Sequence, residues 1–172
     1  MKDTIVQVGN PVLHEIAKPV HKQEFGGKKL HALIVKMSRA LAKEEFGVAI
    51  AAPQVNESLR LFVVAGRAFV AGEKDADEKI IPPDMVFINP TLTRLSRKTK
   101  EMSEGCLSVR GKYGSVIRHE RASIKAFNEH GKSFTYHSTG LIAHIFQHEC
   151  DHLDGILYIE IAEQLQDDKP AE

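Results

Sequence analysis

The most informative segment of this sequence is QHECDHLDG, residues 147–155, which contains His148, Glu149 and His152. Residues four apart on an α-helix lie one above the other on the same face, so two imidazoles placed in this way can bind one metal ion. Glu149 stands beside the first histidine and can accept a proton from a water whose pKa a metal lowers towards neutrality. The HExxH pattern therefore predicts a hydrolytic metal site, although so short a motif also arises by chance on helices that only expose charge.

The residues before this motif predict that it lies on a helix whose motif face is buried. TGLIAHIFQHECDHLDG, residues 139–155, has helical periodicity, and Ser138 or Thr139 is expected to cap its start and Gly155 to end it. Four positions fall on one stripe of this helix: Leu141, Ile145, His148 and His152. Histidines buried beside apolar residues need polar partners, and a metal supplies them.

A catalytic metal site generally has three protein ligands and a water, so the two histidines need a third partner. In one class of zinc proteases another histidine follows six residues after the second, where this chain has Tyr158. The downstream acidic alternatives are Glu160, Glu163 and Glu172. Cys106, within EGCLS (104–108), is the better candidate, although a lone cysteine is often a small buried apolar residue. His144 extends the row of histidines, but three such residues drift around a helix, which favours a structural or pocket-rim role for it.

Composition limits the class of protein. The 172 residues include 23 Lys and Arg and 23 Asp and Glu, and this zero net charge argues against a nucleic-acid surface that works by bulk charge. Cys106 and Cys150 form neither a CxxC pair nor a disulfide framework. The first residues, MKDTIVQVGNPVL, contain no long apolar run, so we expect no signal peptide, no membrane span and a reducing, cytoplasmic setting.

Further helices and one loop are expected from local patterns. Asn10 followed by proline predicts a short helix that continues to about Ala17. Apolar residues at helical spacing predict an amphipathic helix over residues 28–45. Residues 66–83 are polar and rich in turn formers, which predicts an exposed loop.

Strands are expected on both sides of that loop. GVAIAAPQV, residues 47–55, predicts a strand-like segment that packs tightly, because its residues are small. The remaining strand predictions are 59–65, 85–93, and a hairpin of 122–127 with 133–138. The length suits one catalytic domain, residues 1–164, followed by a flexible tail, residues 165–172.

Three segments together make this chain resemble peptide deformylase. They are GVAIAAPQ (47–54), EGCLS (104–108) and HECDH (148–152), in that order, and the opening IVQVGNPVLHEIAKPV is similar as well. The resemblance covers about residues 4–160, and three ordered motifs are far more specific than one. It implies an α+β fold with antiparallel strands around a central helix that carries the HExxH motif.

The resemblance also implies an activity and its partners. The family removes the formyl group from N-formylmethionine at the start of nascent polypeptides, with one divalent metal ion per chain. Fe(II) is expected, with Zn, Ni or Co as replacements. The partners are formylmethionyl peptides and, transiently, the ribosome, with no specific nucleic acid and no membrane.

Site residues follow by matching motifs. The resemblance assigns the metal ligands Cys106, His148 and His152. Glu149 moves the proton, while Gln54 and the backbone N–H of Leu107 stabilise the oxyanion. The resemblance assigns main-chain contacts with the substrate to Gly47, Val48, Ala49 and Gly105. It assigns an apolar pocket for the methionine side chain to Leu141 and Ile145. An arginine matching Arg118 can pair with Glu104 and brace the cysteine loop.

Three positions depart from the family pattern. Ala49 replaces a glycine, where its methyl group either fits or crowds the peptide. Arg110 replaces a proline, which either loosens the loop or adds a charge to the cleft rim, and His144 replaces an apolar residue. These changes keep open a divergent homologue with low activity or another N-acyl substrate. A non-catalytic metal-binding protein is the second alternative, but it would need neither Glu149 nor Gln54.

Overall fold

Two antiparallel sheets and three α-helices make up the part of the chain that the computed structural model describes, residues 5–71 and 80–167. The first sheet runs in the order β1-β2-β3-β6-β7, with β1 Ala49–Ala51, β2 Leu61–Val64, β3 Met85–Leu95, β6 Arg121–Phe127 and β7 Ser133–Thr139. The second runs β4-β5-β8, with β4 Thr99–Cys106, β5 Val109–His119 and β8 Glu163–Asp167. The helices are α1 Lys28–Ala42, α2 Gly66–Val70 and α3 Gly140–Leu153. The α+β class is therefore confirmed.

Helix α3 lies at the centre and contacts strands of both sheets. Its Phe146 is fully buried, with ring centroids 5.0 Å from Phe87 and 5.7 Å from Tyr136 of the five-stranded sheet. Aromatic clusters of this kind bury a large apolar area and fix the helix against the sheet. This anchored helix carries the HExxH motif, as expected.

The start and end of α3 are stabilised differently. Thr139 occupies the N-cap position without a side-chain capping hydrogen bond, and Ser138 Oγ donates instead to the carbonyl of Ala122 at 2.9 Å. One of the two predicted cap residues, Thr139, therefore stands at the start of the helix, but it makes no capping hydrogen bond with its side chain. Gly155 has φ +76°, and a Cβ there would lie 2.6 Å from the carbonyl oxygen of His14. The predicted glycine end is confirmed, because only glycine fits this conformation beside that backbone.

The N-terminal half differs from the sequence prediction in detail. After Asn10, whose side chain accepts from the N–H of Val12 at 3.1 Å, one 3-10 turn covers only Pro11–His14. Helix α1 ends at Ala42, three residues before the predicted end. Residues 66–70 form α2, so the start of the predicted loop 66–83 is helical and partly buried, while 72–79 lie outside the described residues.

The second sheet also changes the predicted outline. The pairing of β4 with β5 was not predicted, because β4 is mostly exposed and polar and lacks an apolar alternation. Strand β8 pairs with β5, with Asp167 opposite Lys112, so residues 165–167 are in a strand and not in the predicted tail. Residues 168–172 lie outside the described part. Within the described ranges no helix is long and apolar enough to cross a membrane.

Candidate active site

Helix α3 and the β4–β5 hairpin bring together one cysteine and two histidines. The ligand atoms of Cys106, His148 and His152 all lie within 4.8 Å of one another, and Cys106 Sγ is 3.1 Å from His152 Nε2. Cys106 ends β4 at a register shift in the hairpin, an irregularity that re-aims a side chain. One thiolate and two imidazoles suit a divalent transition metal, so this group fits the expected metal site.

Glu104 orients the first histidine of this group. Its Oε2 accepts from His148 Nδ1 at 2.7 Å, which leaves Nε2 of His148 for the metal. Burial alone would lower the pKa of His148, but hydrogen bonds with Cys106 and Glu104 raise it well above its usual value. Burial and the charge of His148 lower the pKa of His152, so its imidazole is neutral and suited to metal binding.

Arg118 holds Glu104, as the family resemblance implied. Its Nε donates to Glu104 Oε1 at 2.6 Å and its Nη2 to Oε2 at 3.1 Å, while Nη1 reaches Asp151 of α3 at 2.5 Å. Arg118 and Glu104 are both buried. Burial raises the pKa of Glu104, but hydrogen bonds from His144, His148 and Arg118 outweigh it and lower that pKa well below its usual range. The carboxylate is therefore ionised.

His144 does not join the metal group. Its Nε2 lies 2.5 Å from Glu104 Oε1, and its side chain is only 9% exposed. The alternative of His144 as a third metal ligand is therefore not supported. The contact instead supports a structural role for His144 in the wall of the site. Its Nδ1 is buried without a hydrogen-bond partner among the described residues.

Glu149 is placed and tuned for proton transfer near neutral pH. It is 4% exposed, borders the cavity beside the metal group, and its Oε2 has no partner within the described part of the chain. Burial raises the pKa of Glu149 to about 7, partly offset by the charge of His148. A carboxyl group with this pKa can both take up and release a proton under physiological conditions.

Gln54 points its amide nitrogen at the cysteine loop. Its Oε1 accepts from the N–H of Ala51 at 2.8 Å, and its Nε2 donates to Ser108 Oγ at 3.2 Å and to Cys106 Sγ at 3.5 Å. The Ser108 N–H also donates to that sulfur at 3.4 Å. Leu107 borders the cavity, and its carbonyl accepts from Gln7. Sequence reasoning gave Ser108 no role, although it is fully buried.

A cavity of about 730 Å³ opens beside the metal group. All the predicted substrate residues border it: Gly47, Val48, Ala49, Gly105, Leu141 and Ile145. Ile145 is 4% exposed, whereas Leu141 is 37% exposed, so Leu141 does not face the core as the stripe predicted. A Cβ on Gly105 would meet only the carbonyl of Lys112, at 3.8 Å, so the protein's own packing does not require this glycine.

The two departures other than His144 also have a structural explanation. Ala49 is buried and extended at the start of β1, opposite Val64, and is absent from the described residues with positive φ, so its methyl group causes no backbone strain. Arg110 Nη2 pairs with Glu44 Oε1 at 2.6 Å across the cavity rim. Arg110 therefore adds a tethered charge to the rim, and the prediction of a loosened loop is not supported.

One further neighbour of the site, on α2, carries no local sequence signal. Arg67 of α2 donates to the carbonyls of Gly47 and Glu44, which shapes one wall of the cavity.

Cys150 of α3 packs in the hydrophobic core, and burial raises the pKa of its thiol to about 12. It faces away from the metal group, as the helical period predicts.

Comparison with known proteins gives one consistent result. A family model described as polypeptide deformylase matches residues 2–168. A peptide deformylase of Carboxydothermus hydrogenoformans is 36% identical over 94% of this chain and 93% of its own length. Two structures of a class I type b peptide deformylase from Acinetobacter baumannii are also similar. The actinonin-bound form is 33% identical with a TM-score of 0.80, covering 93% and 97% of the two chains. The form bound to Met-Ala-Ser is 32% identical with a TM-score of 0.79, covering 91% and 97%.

Proposed function

This chain belongs to the peptide deformylase family, and we propose that Cys106, His148 and His152 hold its divalent metal ion. The protein is a metal-dependent hydrolase that removes the formyl group from N-formylmethionine at the N-terminus of nascent polypeptides. One observation carries the assignment of residues: three ligand atoms within 4.8 Å of one another adjoin a cavity that is also lined by buried Glu149, whose Oε2 has no hydrogen-bond partner among the described residues.

Fe(II) is the proposed native metal, with Zn, Ni or Co as replacements. A mixed set of one thiolate and two imidazoles accepts all of these ions, so selection among them depends on availability and handling. Cys106 borders the open cavity, which leaves a ferrous site accessible to oxygen. Metal analysis of protein purified without oxygen tests this proposal.

The chain's own groups account for the proton and charge transfers. When bound, a divalent ion lowers the pKa of water and polarises a carbonyl group. Glu149 accepts the proton of the attacking water and then returns it to the leaving amine, a task that suits its pKa of about 7. The amide of Gln54 and the backbone N–H of Leu107 donate to the oxygen of the formyl group as it becomes negative.

The cavity suits an extended peptide that begins with methionine. Buried Ile145 and half-exposed Leu141 provide an apolar surface for the methionine side chain. Gly47, Val48 and Ala49 line the cavity at β1, an edge strand of the five-stranded sheet, where a peptide backbone can pair. The similar deformylase described with Met-Ala-Ser bound supports this substrate class.

The setting of the reaction follows from the substrate. Because nascent chains are made on ribosomes, we include a cytoplasmic location and a transient contact with the ribosome in the proposal. The single catalytic domain, expected to end at residue 164, is proposed to extend through β8 to Asp167, because that strand pairs with β5. Co-sedimentation of the purified protein with ribosomes tests the contact.

The decisive test is hydrolysis of a short formyl-Met peptide by protein purified without oxygen, with metal content measured on the same sample. Near one metal per chain and rapid formate release support the proposal, and Cys106→Ala should lose both. Bound metal with negligible release would favour a divergent homologue that acts on another N-acyl substrate.

A further inference from the structure

His144 stands one helical turn before His148, where the family resemblance led us to expect an apolar residue. Its Nε2 is 2.5 Å from Glu104 Oε1, and the side chain is 9% exposed. An ionised carboxylate only accepts hydrogen bonds, so the hydrogen between them lies on His144. The contact is thus a charge-assisted hydrogen bond in a buried place, which is among the stronger polar contacts in proteins.

Glu104 has all its acceptor positions occupied. Oε1 accepts from Arg118 Nε at 2.6 Å and from His144 at 2.5 Å. Oε2 accepts from His148 Nδ1 at 2.7 Å and from Arg118 Nη2 at 3.1 Å. A carboxylate offers about four acceptor sites, so each of these donors has its own place.

The donors come from two different elements. Arg118 lies on β5, in the same hairpin as Glu104 on β4, so its contacts hold the carboxylate within that hairpin. His144 and His148 lie on α3 and bond one oxygen each. These two bonds join the carboxylate directly to the helix that carries two of the proposed metal ligands.

We propose that His144 is a positioning residue for the metal site, which it supports by locking Glu104 against α3. With Oε1 held by His144, Oε2 stays on His148 Nδ1, and Nε2 of His148 stays aimed at the metal. Glu104 also precedes Cys106 by two residues on β4, so the same lock sets the distance between the thiolate and the helix. The proposal rests on the ligand set proposed above.

Removing the donor leaves Arg118 holding both carboxylate oxygens within the hairpin, while the bond of His148 alone, among the described residues, still joins the carboxylate directly to α3. Groups that orient a metal ligand through its second nitrogen are typically worth about 10- to 100-fold in metal affinity. Because His148 keeps its own bond to Glu104, we expect about a tenfold loss, near the lower end of that range.

The test is titration of the metal-free protein with Co(II), followed by its visible absorption, including the band of a thiolate bound to cobalt. The matched variants are His144→Gln, whose amide nitrogen can reach Glu104, and His144→Met, of similar length but without a donor. His130→Gln, at an exposed histidine in the β6–β7 turn, controls for the loss of a histidine. We expect affinity within about threefold of wild type for His144→Gln and His130→Gln, and about a tenfold loss for His144→Met.

Equal Co(II) affinity for the glutamine and methionine variants would overturn the proposal. Thermal unfolding of each metal-free variant shows whether it folds. If His144→Met does not fold, His144→Asn takes its place, because its donor is too short to reach Glu104 and the same loss is expected. Titration of Cys106→Ala with Co(II) tests the proposed ligand set separately from the proposed role of His144. If wild type binds no Co(II) with the thiolate band, the ligand set itself is wrong and the role of His144 falls with it.

Discussion

Glu104 Oε2 accepts a hydrogen bond from His148 Nδ1 at 2.7 Å, so a buried carboxylate on β4 directs a proposed metal ligand on α3. The same carboxylate is held by two nitrogens of Arg118. The metal group and the join between sheet and helix therefore depend on one buried charge, and changes at Glu104 should affect both stability and metal binding.

Glu104→Gln should lower the free energy of unfolding by about 3–5 kcal/mol, because it breaks the buried ion pair and leaves Arg118 with only the partly exposed Asp151 as a carboxylate partner. Urea denaturation of the metal-free protein measures this. Glu120→Gln is the control, since the pair of Glu120 with Lys98 is largely exposed and such pairs contribute about 1 kcal/mol or less. Similar small losses for both variants would contradict the assigned importance of the buried pair.

The stabilising effect of Glu104 should disappear in acid. Its pKa is lowered in the folded state, despite burial, by hydrogen bonds from His144, His148 and Arg118. The unfolded chain therefore takes up a proton near the ordinary value of 4.5 while the folded chain does not. The stability difference between wild type and Glu104→Gln should shrink as the pH falls below that value. Denaturation of both proteins across pH 3–7, about four pH units, checks whether the stability difference decreases in acid.

The rate of deformylation should rise as the pH increases through about 7, because Glu149 acts as a base only when ionised and burial raises its pKa to about 7. Glu149→Gln should keep the metal, lower kcat by about 10²- to 10⁴-fold and remove this pH dependence. Formate release measured against pH, with metal content on each sample, tests both points. An unchanged rate in the variant would show that Glu149 is not the base.

Gln54→Glu should lower kcat by about 10²- to 10³-fold, because it removes an amide donor from the place where negative charge develops. The new side chain can still accept from the Ala51 N–H, so the local turn should be kept. Peptide kinetics with metal content as the control test this. A raised KM with unchanged kcat would instead assign Gln54 to substrate binding.

Ala49→Gly should lower the free energy of unfolding by about 0.5–1 kcal/mol, because glycine loses more backbone freedom in a strand. KM for a formyl-Met peptide should change by less than about threefold, since Ala49 is unstrained at the start of β1. Thermal unfolding and peptide kinetics measure the two effects. A large fall in KM would show that the methyl group crowds the substrate.

Local periodicity predicted the elements whose pattern is strong. Helix α3 and the hairpin of β6 with β7 lie where apolar spacing placed them, because each buries one regular face. The hairpin of β4 with β5 escaped prediction, since most of β4 is exposed and its side chains are polar. Its pairing depends on backbone register, which no short-range pattern encodes.

The sequence by itself determined the chemistry on α3, because His148, Glu149 and His152 share one turn of helix whatever surrounds it. The family resemblance of the separate EGCLS motif, residues 104–108, added Cys106 to the expected metal ligands. The same resemblance implied that Arg118 supports Glu104, but only the tertiary structure decided the remaining support: Glu104 meets His144 across 40 residues, and Gln54 meets Ser108 across 54. Such contacts arise where strand register and helix packing bring distant segments together, and the same burial raises the pKa of Glu149 to about 7.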